Sequence, residues 1–226
     1  MKKLILPLLF ALVLPATFSC SSSRLSNYVL TEEDAQSAIR ELLSIGARDT
    51  NYANAFNKDA MMAAVFPESL RKVLNTLNQL GLTPEVDRFT NTLATAAQTS
   101  VQNAIPVFVN GITGMRLSDA ISIVKGGGTS ATDYLRSHVG SDLRVAIRPA
   151  MQQALDQYKL NEQWNKIVEP AKALVGNKLN LDLANLMAGI VSEKMFEKMG
   201  QKELEIRSNT SAQTTPLLRK VFGRSW

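Results

Sequence analysis

Apolar side chains recur at every third or fourth position through most of the chain, which is the spacing of one face of an α-helix. Leu70, Leu74 and Leu77 are one such stripe. No segment alternates as a strand would, and no repeat with a period of about 20 to 50 residues occurs. We therefore predict an all-α fold without a sheet: a single helical domain, residues 30–226, of about eight to ten helices built from αα-hairpins.

Short polar motifs mark where several of these helices begin. Thr31 is followed by Glu32, Glu33 and Asp34, which is typical of a helix N-terminus because a hydroxyl and carboxylates satisfy the first N–H groups and offset the dipole. Gly46 is expected to end this first helix. Further helix starts are predicted at Pro67-Glu68, Thr83-Pro84-Glu85, Ser118-Asp119, Ser130 to Asp133 and Pro216.

Two prolines and one polar segment predict interruptions. Pro106 is expected to break or kink the helix that begins at Pro84, since proline lacks the N–H that a helix interior uses. Pro149 is expected to interrupt the helix that follows Ser130 for the same reason. Residues 51–57 are mostly polar and are predicted to form a loop.

The first twenty residues have the pattern of an export signal. A basic start, Met1 to Lys3, is followed by an apolar run from Leu4 to Leu14 that is too short to span a bilayer comfortably. Cys20, the single cysteine, stands where bacterial lipoproteins carry their lipid. We predict a lipoprotein-type signal peptide at 1–19 and lipid attachment at Cys20; ordinary cleavage nearby, with Cys20 unmodified, is the alternative.

Residues 20–29 are predicted to be a flexible tether, because they include the run Ser21 to Ser23. Acyl chains on Cys20 would hold the domain to a membrane through the burial of their methylene groups. We expect a location in the bacterial cell envelope, on the outer membrane and facing the periplasm.

The composition excludes several classes of protein and of binding partner. The chain has 25 Lys and Arg against 20 Asp and Glu, and 45% of its residues are hydrophobic, which supports a substantial core and excludes a disordered tail protein. One cysteine excludes an internal disulfide framework, and one histidine excludes multi-histidine metal centres, so no metal or other cofactor is expected. Basic residues are dispersed and aromatic residues are few, so nucleic acid is not an expected partner.

Six segments along the chain suggest a known family. They are Leu30 to Asp34, Pro67 to Val73, Leu80 to Leu82, Asp119-Ala120, Ala131 to Arg136 and Thr214 to Gly223. This series resembles the bacterial envelope family catalogued as domain of unknown function 4197. The resemblance implies a helical protein that is secreted or lipid-anchored, and it implies no particular activity. Gln213 stands where the family's ending has a basic residue, so a salt bridge or anion contact at that position would be missing here.

The segment Lys125, Gly126, Gly127, Gly128, Thr129 and Ser130 is the strongest candidate for a ligand site. Glycines let backbone N–H groups converge on an anion, and a helix beginning at Ser130 would add its positive dipole end. The segment is not a nucleotide-binding P-loop, because Lys125 precedes the glycines and no strand comes before them. The simpler interpretation is a turn between two helices, with Ser130 capping the second.

A catalytic site near that turn is a weaker hypothesis. His138 is the only histidine, and Asp133, Tyr134, Ser137 and Asp142 lie close to it in sequence. Adjacent helical residues point about 100° apart, which makes Ser137 and His138 a poor nucleophile–base pair. We predict a surface or capping histidine and assign no catalytic residue.

The C-terminus carries an apolar stripe with basic residues beside it. The stripe is Leu217, Leu218, Val221, Phe222 and Trp226, and the basic residues are Arg219, Lys220 and Arg224. It either docks on an anionic membrane or a partner, or packs on the core with the basic stems along its edge. We favour packing for Leu217 to Phe222 and leave Trp226 open.

Three functions are compatible with these observations. The preferred one is a non-catalytic helical interaction module, anchored to the membrane by its lipid and binding an envelope protein. The alternatives are a carrier or sensor of a small apolar or anionic ligand, with the glycine segment at its mouth, and a hydrolase with a site near that segment. The oligomeric state is left open.

Overall fold

A computed structural model describes residues 28–48, 50–175 and 181–226, and within these ranges it contains nine α-helices and no strand. The all-α prediction is therefore confirmed. The helices are α1 (Glu32–Ala47), α2 (Lys58–Val65), α3 (Arg71–Gln79), α4 (Thr83–Gly114), α5 (Ala120–Gly126), α6 (Ser130–Gln157), α7 (Leu160–Val175), α8 (Leu183–Ser208) and α9 (Pro216–Phe222). The predicted signal peptide, Cys20 and the tether as far as Asn27 lie outside the described residues.

Three long helices organise one continuous apolar core. α6 packs along both α4 and α8, while α1 lies against α8, α4, α5 and α9. Phe89 and Phe108 of α4 and Leu135 of α6 are fully buried in this core. In the described part of the chain no helix has the length and apolarity needed to cross a membrane.

The structure confirms the predicted capping motif at the start of α1, but not the predicted role of Gly46 at its end. The Asp34 N–H donates to Thr31 Oγ1 at 3.2 Å, as an N-cap requires. Gly46 does not stop the helix, which continues to Ala47. Gly46 faces α8 instead: a Cβ at this position would lie 3.2 Å from the Cα of Met199. The glycine therefore allows α1 and α8 to approach closely.

The helices are not broken at the two prolines, so the predicted breaks are wrong. α4 runs through Pro106 to Gly114, and α6 runs through Pro149 to Gln157. A proline inside a helix costs about 3 kcal/mol, which packing on both sides can offset. Ala104 and Phe108 flank Pro106 and are both fully buried, and Ile147 is fully buried beside Pro149.

The predicted loop at residues 51–57 is confirmed only for residues 56 and 57. A 3₁₀ helix spans Thr50–Ala55, and Tyr52 and Phe56 are fully buried. The Tyr52 hydroxyl donates to the carbonyl of Gly46 at 2.7 Å. Two aromatic side chains thus hold this polar segment on the core. Two of the observed helices, α2 and α7, were not among those predicted from the sequence.

Candidate functional site

The glycine segment is a tight turn between α5 and α6. Lys125 and Gly126 end α5, and Thr129 immediately precedes the first residue of α6. Gly127 and Gly128 have φ values of 65° and 52°, in the left-handed region that residues with a Cβ rarely adopt. The glycines are therefore required by the turn itself, whatever else the segment does.

The first N–H groups of α6 are already bound by a carboxylate from α8. Glu203 Oε1 accepts from the Ala131 N–H at 2.9 Å, and Glu203 Oε2 accepts from the Thr132 N–H at 2.8 Å and from its hydroxyl at 2.7 Å. Glu203 is fully buried. The protein thus supplies its own anion to the positive end of this helix.

Arg207 completes this connection one helical turn after Glu203. Its guanidinium lies 2.8 Å from Glu203 Oε1, and it also donates to the carbonyls of Val124 and Ile123 at the end of α5. A further bond, at 3.0 Å, joins Arg207 to the Ser130 hydroxyl. We call Glu203, Arg207, Ser130 and the N–H groups of Ala131 and Thr132 the buried junction. It ties α5, α6 and α8 together.

The buried junction changes the role expected of Ser130. The serine is the first residue of α6 rather than its cap, and its hydroxyl donates back to the Ile123 carbonyl at 2.6 Å. A ligand on the glycine segment stays a prediction, but the N–H groups of Ala131 and Thr132 are engaged by Glu203.

The sequence analysis did not identify Glu203 as a functional residue. Its helical spacing from the apolar residues Met199 and Ile206, which are buried on the same face of α8, could have indicated a buried carboxylate.

A second carboxylate caps α5 from α1. Glu32 Oε1 accepts from the Ala120 N–H at 2.6 Å, and Glu32 Oε2 lies 3.4 Å from the Ile121 nitrogen. Arg40, also on α1, donates to the Met115 carbonyl at 2.9 Å. The acidic start of α1 therefore serves two helices, its own and α5.

A pocket of about 210 Å³ lies on the outer side of the glycine turn. We call it the basic pocket, because the three charged side chains that line it are Lys125, Arg207 and Arg224. The other lining residues are Val124, Gly127, Gly128, Val221, Phe222, Ser225 and Trp226. The structure thus brings the glycine turn and the C-terminal basic residues together, which the sequence placed in separate segments.

Next to the basic pocket, residues from both ends of the described chain form what we call the terminal cluster: Tyr28, Asp34, Lys220, Arg224 and Trp226. Tyr28 donates its hydroxyl to Asp34, and Lys220 donates to the same carboxylate at 2.7 Å. Lys220 and Arg224 both lie over the Tyr28 ring, whose centroid is 5.8 Å from that of Trp226. Leu218, Val221 and Phe222 are buried, so the C-terminal stripe packs on the core there.

The terminal cluster shifts the proton affinities of its members. Hydrogen bonds from Lys220 and then from Tyr28 hold the pKa of Asp34 below its usual value. Burial, followed by the bond to Asp34, raises the pKa of Tyr28. The bond to Asp34 also raises the pKa of Lys220. Charge is therefore retained on Asp34 and Lys220 across the neutral range.

The residues considered for hydrolysis take local structural roles. Ser137 Oγ and His138 Nδ1 are 2.9 Å apart, closer than their adjacent helical positions predicted. However, both atoms also lie within 3.0 Å of the Tyr134 carbonyl, which accepts hydrogen bonds, so both are held against their own helix. The Tyr134 hydroxyl donates to the Arg116 carbonyl at 2.9 Å, and Asp133 accepts from Thr129. His138 is exposed, and its Nδ1 contacts the Tyr134 carbonyl as well as Ser137 Oγ.

Metal ligands and a second groove also bear on the chemistry of the described residues. No group of three or more His, Cys, Asp or Glu side chains in residues 28–48, 50–175 and 181–226 could hold a metal ion. A groove of about 410 Å³ lies between α2, α6 and α8, with apolar lining from Ala60, Ala64 and Ile190. Two of its polar lining residues, Arg144 and Asn185, bond to each other at 2.9 Å and so connect α6 with α8.

The fold and the site together define a helical protein whose buried polar groups connect helices. The chain belongs to the family described as protein of unknown function (DUF4197), whose sequence pattern it matches over residues 29–223. This confirms the resemblance seen in the sequence. Neither curated proteins nor solved structures provide a match to this chain.

The departure from the family's ending is buried. Gln213 is 2% exposed, and its amide donates to the Ile206 carbonyl at 3.0 Å. Its Oε1 atom has no hydrogen-bond partner among the described residues. Gln213 therefore helps to hold the segment after α8 against that helix.

Proposed function

We propose that this protein is a non-catalytic helical module, anchored to the bacterial envelope by a lipid on Cys20, that binds another envelope component. The observation that carries the proposal is that the polar and charged side chains near the glycine turn make hydrogen bonds that hold the fold together. Glu203, Arg207, Glu32 and Tyr134 are engaged in links between helices or between a helix and a loop. His138 Nδ1 lies 2.9 Å from the Tyr134 carbonyl, a contact within its own helix.

The anchored location is supported by the sequence. Residues 1–19 have the basic start and apolar run of an export signal, and Cys20 follows at the position of a lipid attachment site. We infer that the anchored domain lies at the outer membrane, facing the periplasm. The residues that the structure describes begin at Tyr28.

The anchor is tested by intact-mass measurement and membrane fractionation of the protein from its own envelope. We expect the wild-type chain to carry acyl groups on Cys20 and to sediment with the membrane. Cys20→Ser should be unmodified at that residue, whereas the matched change Ser21→Ala should leave the lipid in place. An unmodified Cys20 in the wild-type protein would contradict the anchor.

The non-catalytic role is tested by complementation. A strain lacking the protein should be rescued fully by a chain carrying Asp133→Ala, Ser137→Ala and His138→Ala, at equal protein level. Failure of this triple variant, with rescue by the control Asp142→Ala, would instead support the hydrolase.

The basic pocket favours a second candidate, a carrier or sensor of a small anionic ligand. Lys125, Gly127 and Arg224 line a concave surface with positive side chains. Native mass spectrometry of protein from cells should then show a bound anion that Lys125→Glu removes. An identical mass for the folded wild-type and variant chains, corrected for the substitution, would dismiss this candidate.

A further inference from the structure

We propose that the basic pocket and the adjacent edge formed by Tyr28, Val29 and Trp226 dock on the anionic phospholipid headgroups of the membrane that holds the chain. The partner is a bilayer surface, and the group recognised is a lipid phosphate. This inference rests on the proposed function, because the lipid on Cys20 is what brings a bilayer to this face.

The position of the pocket relative to the anchor supports this partner. Tyr28 lies eight positions after Cys20, and a fully extended chain over that interval spans at most about 28 Å. Tyr28 contacts the Trp226 ring, and the Arg224 guanidinium lies 5.1 Å from the centroid of the Tyr28 ring. The basic pocket therefore lies beside the point where the tethered chain enters the domain.

The charge of this face complements an anionic surface. Lys125 and Arg224 line the pocket together with the glycines of the turn. Lys125 takes part in none of the ion pairs among the described residues. The nearby Asp34 is neutralised by its ion pair with Lys220. Basic side chains close to anionic headgroups are attracted within a Debye length.

The apolar part of the face suits the boundary between headgroups and acyl chains. Val29 is 77% exposed and Trp226 is 39% exposed, beside the cations of the terminal cluster. The Trp226 Nε1–H donates to the Val221 carbonyl at 2.7 Å, which fixes the ring at the surface. Tryptophan is enriched at the boundary between headgroups and acyl chains because its ring is apolar and its N–H group is polar. Exposed aromatic and basic groups together are typical of surfaces that lie on a membrane.

The fluorescence of Trp226 tests the proposal in the anchored protein. Protein purified from the envelope is reconstituted into vesicles that contain lipids brominated near the glycerol end of the acyl chain. In vesicles with anionic phosphatidylglycerol, we expect bromine to quench Trp226. In vesicles of phosphatidylcholine alone, quenching should be weak. Trp164 is 4% exposed in the core, so the signal lost in Trp226→Phe isolates Trp226.

Matched variants separate docking from tethering. Lys125→Glu with Arg224→Glu should lower the quenching in anionic vesicles to the level seen with neutral lipid. Lys166→Glu makes the same change in charge per residue on α7, which does not line the pocket, and should leave the quenching unchanged. Raising the salt concentration should reduce the quenching, since the attraction is electrostatic.

The outcomes also distinguish this inference from the proposed function. The mass of the N-terminal peptide reports whether Cys20 carries lipid, independently of fluorescence. If it carries none, the protein is added to the same vesicles from solution, where Lys125→Gln should weaken binding about fivefold. Equal quenching in neutral and anionic vesicles would overturn the proposal. Quenching abolished by millimolar inorganic phosphate at constant ionic strength would also overturn it, by assigning the pocket to a free anion.

Discussion

The buried junction and the terminal cluster contain the same kind of ion pair in opposite surroundings. In the buried junction Glu203 pairs with Arg207 at 2.8 Å, and the Glu203 side chain is fully buried. In the terminal cluster Asp34 pairs with Lys220 at 2.7 Å, but the Asp34 side chain is 25% exposed and that of Lys220 is 39% exposed. The distances are alike, so burial is the main difference.

Burial decides what each pair can do. A charge left alone inside the protein has no water to replace its partner, so the buried junction acts as a structural connection. A charge at the surface is solvated when its partner leaves, so an exposed pair contributes little to stability. The terminal cluster is thus free to meet an external surface at small cost to the fold.

The largest expected effect follows from removing the buried carboxylate. Glu203→Ala leaves Arg207 without its counter-ion and the N–H groups of Ala131 and Thr132 without an acceptor. The free energy of unfolding should fall by about 3–5 kcal/mol, measured by urea denaturation. Glu205→Ala is the matched control, since Glu205 pairs with Lys202 at the surface. A loss equal to that of the control would remove the contrast between the two regions.

A double-mutant cycle sharpens the same point. Once Glu203 is absent, Arg207→Ala removes an uncompensated charge, so the double variant should lose less stability than the two single losses combined. We expect a coupling energy of about 1–3 kcal/mol, obtained from the four unfolding curves. Strict additivity would mean that Glu203 and Arg207 stabilise the junction independently.

A smaller loss is expected where a carboxylate caps a helix at partial exposure. Glu32→Ala removes the acceptor of the Ala120 N–H and should cost about 1 kcal/mol, as helix caps usually do. Glu33→Ala changes a neighbouring exposed carboxylate and should cost less. Thermal unfolding of both variants makes the comparison, and a larger loss from Glu33→Ala would contradict the assignment of Glu32 to α5.

The smallest effect lies in the terminal cluster and depends on pH. Because the pKa of Asp34 is lowered in the folded protein, its contribution is present above the unfolded value of 3.8 and is lost as the pH falls through the folded pKa. Asp34→Asn should therefore lower the free energy of unfolding slightly at neutral pH. At a pH below the folded pKa of Asp34, the free energies of the variant and the wild type should become equal. Unfolding curves between pH 2 and 7 test this; a constant difference across the range would contradict it.

Much of the fold could be predicted from local patterns. Thr31, Asp119 and the apolar spacings identified helices because capping and periodicity act within one or two turns. The errors at Pro106, Pro149 and residues 51–57 have one cause. In each case packing against distant helices outweighed a local preference, as the buried Phe108, Ile147 and Tyr52 show.

The candidate site was predicted only in part, because its partners are far apart in the chain. The glycine turn was evident from Gly127 and Gly128, whose conformation is a local property. Glu203 could not be linked to Ala131 from the sequence, since the bond joins residues 72 positions apart. The same holds for Lys220 and Asp34, which are 186 positions apart.

The sequence by itself determined the helical class, the positions of most helix starts and the family to which the chain belongs. These follow from short-range spacing and from motifs that can be recognised in the sequence alone. Only the tertiary structure decided that a carboxylate from α8 occupies the start of α6, and that the C-terminal basic residues meet the glycine turn. Those arrangements depend on how long helices pack, where burial sets the strength of each polar contact.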